Sequence, residues 1–222
     1  MGDNRKAWNK QQTKFRELLL SFEQPQAATA LFMEQHAMVH AAAMAQQALP
    51  SFEDEVLDGM SSEQIRGVPQ NEEHSVAWLL WHMARIEDVT MNMLVAGEAQ
   101  LFNRGNWDER LGVTVHNTGN AMDEQTVRQL SETVNLEALR AYRQAVGRQT
   151  RKIVEGLRPE QLKQKVDPAR LQQVLDGGAV LPKAQDLIDY WGRRTIAGLL
   201  LMPPTRHNFI HLNEAQRLKR RR

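Results

Sequence analysis

Apolar positions recur at helical spacing along most of the chain, and the period-two alternation of Val, Ile and Thr that marks strands is scarce. Ala, Leu, Met, Gln, Glu and Arg dominate, all of them good helix formers. The pattern predicts a first strong helix over about 26–48, QAATALFMEQHAMVHAAAMAQQA, stopped by Pro50. A short helix over 51–57 ends at Asp58-Gly59, and Ser61-x-x-Gln64 matches a capping box for another turn. The next long helix covers about 75–96 and ends at Gly97. Residues 98–122 lose the period, with turn formers in FNRGNW and VHNTGNAM. A connection that long is uncommon in a compact domain and often lies over a functional surface. A third long helix is predicted over 135–157, with Leu136, Leu139, Val146, Ile153 and Leu157 on one stripe. A short PEQLKQ helix and an Asp176-Gly177-Gly178 turn follow. Residues 183–202 read as helix with Leu187, Tyr190, Trp191 and Leu199 as core candidates. Pro203-Pro204 is expected to break that helix and Thr205 to cap the last one, which runs into the tail LKRRR.

The expected fold class is all-α, a four-helix bundle with a long crossover and extra short helices. Residues 1–25 read as a polar N-terminal extension and 26–222 as one helical domain. Composition adds mainly exclusions. At 222 residues and 41% hydrophobic, the chain can bury a substantial core. A net charge of +1 predicts no strong attraction to nucleic acid, and LKRRR reads as a solvated helix end whose cations suit the macrodipole. The absence of cysteine excludes disulfides, Cys-ligated zinc, iron–sulfur clusters and a cysteine nucleophile. AGLLLM, the longest apolar run, is far too short to span a membrane, and the polar N-terminus has no signal-peptide core. A soluble, cytoplasmic protein is the expectation. An Ala-rich, Met-rich helix is compatible with a homodimer, without deciding for one.

The chemistry concentrates in histidine. His207 and His211, four apart on a helix, put two imidazoles on one face, where they can share a metal ion. Glu214 extends the stripe as a ligand, an acceptor that orients a ligand, or a general base. His82 sits in the apolar run SVAWLLWHMARIED, on the core-facing stripe Trp78, His82, Ile86 and Val89. A buried imidazole needs a hydrogen-bond partner or a metal. His82 joined to the pair would make a three-histidine site with open positions, the form of a catalytic centre more than a structural one. His36 and His40 form a second such pair on the first helix. We read His40 as a pocket residue toward a cofactor and His36 as structural or exposed. His74 is read as surface and His116 as a lid residue. There is no phosphate loop, no Gly-x-Ser-x-Gly elbow and no His-Glu-x-x-His.

SVAWLLWHMARIED, followed much later by TRHNFIHLNEAQRLK, resembles the DinB/YfiT-like superfamily of bacterial four-helix-bundle metalloproteins. The resemblance runs from about residue 30 to 218 and implies a divalent ion, zinc or nickel, held by His82, His207 and His211. Some members of that superfamily are thiol transferases and others thiol-dependent isomerases. The resemblance thus implies a metal-dependent enzyme, with Glu214 orienting or deprotonating, that passes a low-molecular-weight thiol to a small electrophile. A chain without cysteine would take that thiol from solution. The alternative is a non-catalytic metal-binding or stress-response protein on the same scaffold.

Overall fold

The computed structural model describes residues 2–221. Met1, the first residue of the expected extension, and Arg222, the last of the basic tail, lie outside the described residues. The principal helices are α1 (Gly2–Ser21), α2 (Pro25–Met38), α3 (Val76–Asp88), α4 (Glu124–Thr133), α5 (Leu136–Glu155), α6 (Pro168–Asp176), α7 (Gln185–Gly192) and α8 (Asn208–Arg220). No strand occurs among the described residues. The four-helix core is a ring. α3 packs on α5, α5 on α2, and α2 on the π-helical turn Met202–His207 that leads into α8; α8 closes the ring against α3.

Local chemistry explains most of the boundaries. Ser75 caps α3 by accepting from the Trp78 N–H, and its own hydroxyl donates to Ser131 of α4. Asn135 caps α5 in the same way. Gly97, at φ +73°, ends the helical run that continues from α3 as a π-helix over Val89–Ala96. Capping boxes form at Ser51 with Asp54 and at Ser61 with Gln64.

Several expectations are corrected. The polar N-terminal stretch is a helix whose Trp8, Phe15 and Leu19 are buried in the core, so α1 is a packed fifth helix. The predicted first helix is interrupted after Met38 and resumes only as the turn Ala42–Ala45. Residues 98–122 hold two short helices, Leu101–Arg104 and Trp107–Leu111, ahead of the irregular stretch. The span expected as one helix over 183–202 is divided at Arg193–Thr195. Pro203 and Pro204 do not break the chain's helical course, because a π-helical turn absorbs them. Thr205 is not a cap; it is buried and its hydroxyl donates to the Leu200 carbonyl. No helix among the described residues is long and apolar enough to cross a membrane. The basic tail is engaged within the fold: Lys219 donates to the Asp58 carbonyl, and Arg217 and Arg221 both pair with Glu72.

Candidate metal centre

α3 is buried along its whole length, so each polar side chain on it must find a partner inside the protein. His82, 3% exposed, is the first of these. Its Nδ1 lies 2.6 Å from the Thr118 carbonyl, an acceptor that fixes the proton on Nδ1 and leaves the Nε2 lone pair facing the opposite way. Arg85, one turn on, donates to the His116 carbonyl at 2.7 Å and stacks over Phe102 at 4.0 Å. Asp88 accepts from the backbone N–H groups of Leu101 and Phe102. The long excursion is thereby clamped along one helix, and its Thr118 end lies against the histidine.

α8 and the π-helical turn before it supply the rest. His207 Nε2 stands 3.2 Å from His82 Nε2, and the three rings of His82, His207 and His211 meet with centroids 4.5–5.1 Å apart. His211 Nδ1 donates to Glu214 Oε2 at 2.9 Å, which frees its Nε2. The other Glu214 oxygen accepts from His74 Nδ1 at 3.1 Å. His74, Trp78 and His82 form a continuous stack, with near-parallel rings 3.9 and 4.7 Å apart. The three histidines offer one ligand atom each, all within 4.8 Å of one another. His211 and Glu214 face outward, with side chains 18% and 20% exposed, so the cluster has a solvent side.

The electrostatics suit a cation. Burial, helped by the charge of His211, pushes the His82 imidazole down to about 3. Burial and the neighbouring rings hold His207 well below its ordinary value. Both are therefore neutral at pH 7, the form in which an imidazole can bind a metal. Burial raises the Glu214 carboxyl, but hydrogen bonds from His211 and His74 outweigh it and leave the group at about 2, fully ionised. The donor set passes a fit test. Ligand atoms about 2.1 Å from a divalent ion stand roughly 3.0–3.4 Å apart; the nitrogens of His82 and His207 are at that spacing. Without an ion, His207 Nε2 faces the lone pair of another imidazole.

The expected trio is thus brought together, with Glu214 beside it in an orienting position. His40 is not part of it. It is buried with His36 against Glu87, both Nε2 atoms 2.9 Å from a carboxylate oxygen, and Asn208 donates to the same carboxylate at 2.7 Å. His36 is buried and not exposed. His74 is half-buried and serves the centre through Glu214; His116 is exposed and lies 3.8 Å from Asp108. Sequence reasoning missed the Thr118 carbonyl, which carries no side-chain signature, and Glu87, whose signal was a charge on a helix that is buried along its length.

No curated protein matches this chain. A solved structure described as a conserved protein of locus from Enterococcus faecalis is similar, with a TM-score of 0.55. It is 17% identical and the match covers 88% of this chain and 98% of that one, a likeness of fold alone. A model of the DinB superfamily matches residues 54–214, a span that holds His74, His82, His207, His211 and Glu214 and begins after α2. With that match over most of its length, the chain belongs to the DinB superfamily.

Proposed function

We propose that this protein is a divalent-metal-dependent enzyme that joins a low-molecular-weight thiol to a small electrophilic substrate. The observation that carries the metal part is the convergence of His82, His207 and His211, with two of the three oriented by acceptors on their far nitrogens. A bound zinc or nickel ion would supply a Lewis-acidic centre that lowers the pKa of a thiol and favours the nucleophilic thiolate. The thiol part rests on the family's chemistry and on a chain with no cysteine of its own.

The chain's residues divide the remaining work. Thr118 and Glu214 hold the ligand rings in the tautomer that presents Nε2. Trp78 covers one face of His82 and keeps water from it. The side toward His211 and Glu214 is where a substrate can approach. Glu214 orients and does not act as the base: both oxygens are engaged by imidazoles, and a carboxyl at about 2 is a poor proton acceptor at neutral pH.

With both Glu214 oxygens engaged by imidazoles, a second reading stands beside the first, a metal-binding protein without catalysis. One experiment separates them. Metal content is measured by elemental mass spectrometry on the wild type and on His82→Ala, beside a conjugation assay with several small thiols and a chromogenic electrophile. About one equivalent of metal at the trio, lost in the variant, with metal-dependent turnover, supports the enzyme. Metal without turnover across the thiols supports the second reading. A folded wild type that takes no zinc or nickel at the trio removes both.

A further inference from the structure

We propose that His36, His40 and Glu87 form a second metal site, separate from the trio, that takes a divalent transition ion. All three side chains are fully buried, and they come from α2, the turn after it and α3. Each carboxylate oxygen of Glu87 meets one imidazole Nε2 at 2.9 Å. Ligand atoms about 2.0–2.2 Å from a common ion lie roughly 3.0–3.4 Å apart, so each imidazole–carboxylate pair is within a few tenths of an ångström of that spacing, and the three groups each offer a ligand atom within 4.8 Å of the others. Two imidazoles with one carboxylate are a donor set for zinc or another first-row ion.

Charge makes the same case. A buried carboxylate is paired with a cation or coordinates a metal. Among the described residues no lysine or arginine bonds Glu87. Its partners are the two imidazoles and the neutral amide of Asn208. The nearby buried guanidinium, Arg143, is committed to Glu53 at 2.5 Å and to the Val39 carbonyl at 2.6 Å. The packing confines His40: a Cβ at position 147 would lie 2.9 Å from its Nδ1, so the glycine of α5 makes room for the ring.

His36 and His40 precede the span matched by the superfamily model, so the two imidazoles of this site lie outside it, while Glu87 lies within it. Asn208, which donates to Glu87, directly follows His207, and the two sites therefore share one turn of helix.

The probe is cobalt(II), supplied during expression so that a buried site fills as the chain folds. Bound metal is counted in the desalted full-length protein, and the visible ligand-field bands are recorded. The wild type should hold about two equivalents, and the folded double variant His207→Ala/His211→Ala about one, with its bands intact. Glu87→Gln in the wild-type background should fall from two to one and keep the trio's bands, which serves if the double variant does not fold. One equivalent in the wild type that persists in the double variant supports this site and removes the trio. One equivalent in the wild type that survives Glu87→Gln and disappears in the double variant overturns the proposal and leaves the trio standing. A wild type that holds no cobalt overturns both.

Discussion

Glu214→Gln tests whether the acceptor shared by His74 and His211 controls the metal centre. The carboxylate accepts from His211 Nδ1 at 2.9 Å and from His74 Nδ1 at 3.1 Å, one ring for each oxygen. Glutamine keeps the shape but has one acceptor oxygen and one NH₂ donor. It can satisfy only one of the two Nδ1–H groups and opposes the other. If His211 loses its acceptor, its proton shifts to Nε2 and blocks the ligand atom. If His74 loses it, His211 keeps a neutral and weaker acceptor. Outer partners of metal-bound histidines are worth about 10–100-fold in affinity, or roughly 1.4–2.7 kcal/mol. We expect Glu214→Gln to weaken zinc binding within that range and Glu214→Ala to weaken it at least as much. Metal-free stability should fall as well, because the three groups are mostly buried and the two imidazoles hold the carboxyl at about 2. A chelator-competition titration gives the affinity and thermal unfolding of the metal-free protein gives the stability. Affinities of both variants within about twofold of wild type would refute an orienting role. A loss of metal-free stability with the affinity unchanged would mean that Glu214 is only a structural link between helices.

Three further outcomes follow from the same geometry. Gly147→Ala, which in an exposed helix would add about 1 kcal/mol, should instead destabilise by about 1–3 kcal/mol, because its Cβ would press on His40 and Met44 at 2.9 Å; a raised Tm would contradict this. Gly119→Ala should weaken metal binding as well as stability, since φ is +87° and the Cβ would meet the Trp81 ring at 2.8 Å, displacing the neighbouring Thr118 carbonyl from His82; unchanged zinc affinity would contradict it. Tyr142 donates to Asp88 at 2.6 Å, and burial, with Asp88 adding to it and Arg85 opposing, holds its phenol well above 10. Below pH 10 the native hydrogen bond contributes fully, and Tyr142→Phe should cost about 1–3 kcal/mol. Above pH 10 the unfolded chain releases the phenolic proton before the native one does, so the wild-type advantage should shrink as pH rises; a constant gap in Tm between pH 8 and 11 would contradict the assignment.

The parts legible in the sequence were those written in side-chain periodicity and local caps. α5, and α3 together with its π-helical continuation to Ala96, were predicted close to their observed ends because Ser75 and Asn135 are caps and Gly97 supplies a positive φ. His82, His207 and His211 could be named because imidazole in an apolar stripe and imidazole at i, i+4 are both visible patterns. The resemblance to the DinB superfamily is confirmed by the model match. Other features were hidden for physical reasons. α1 reads as polar because a solvated helix needs only a narrow apolar seam, and Trp8, Phe15 and Leu19 are spaced seven and four apart. The Pro203-Pro204 pair reads as a break, but proline in the first turn of a helical segment removes an N–H that has no partner there. The separation of His40 from the trio depends on which way the chain turns after Met38, and no local signal sets that direction.

α3 explains why the two histidine clusters exist side by side. A helix buried on every face ordinarily carries only apolar residues, because any polar group on it must be satisfied by the protein alone. This one carries His82, Arg85, Glu87 and Asp88 within seven positions, all buried. Successive residues on a helix point about 100° apart, so four polar groups so close in sequence must reach partners in different directions. They do: His82 toward α8 and the Thr118 carbonyl, Arg85 and Asp88 toward the excursion and Tyr142 of α5, Glu87 toward α2 and Asn208. Apolar contacts alone would tolerate small rotations of α3 within the ring of helices. These directional bonds do not, because any rotation that improves one cluster unpairs another, at about 1–3 kcal/mol for each buried group left without a partner. The polar residues of α3 therefore fix its rotation, and that rotation places His82 against His207 and His211 while Glu87 meets His36 and His40.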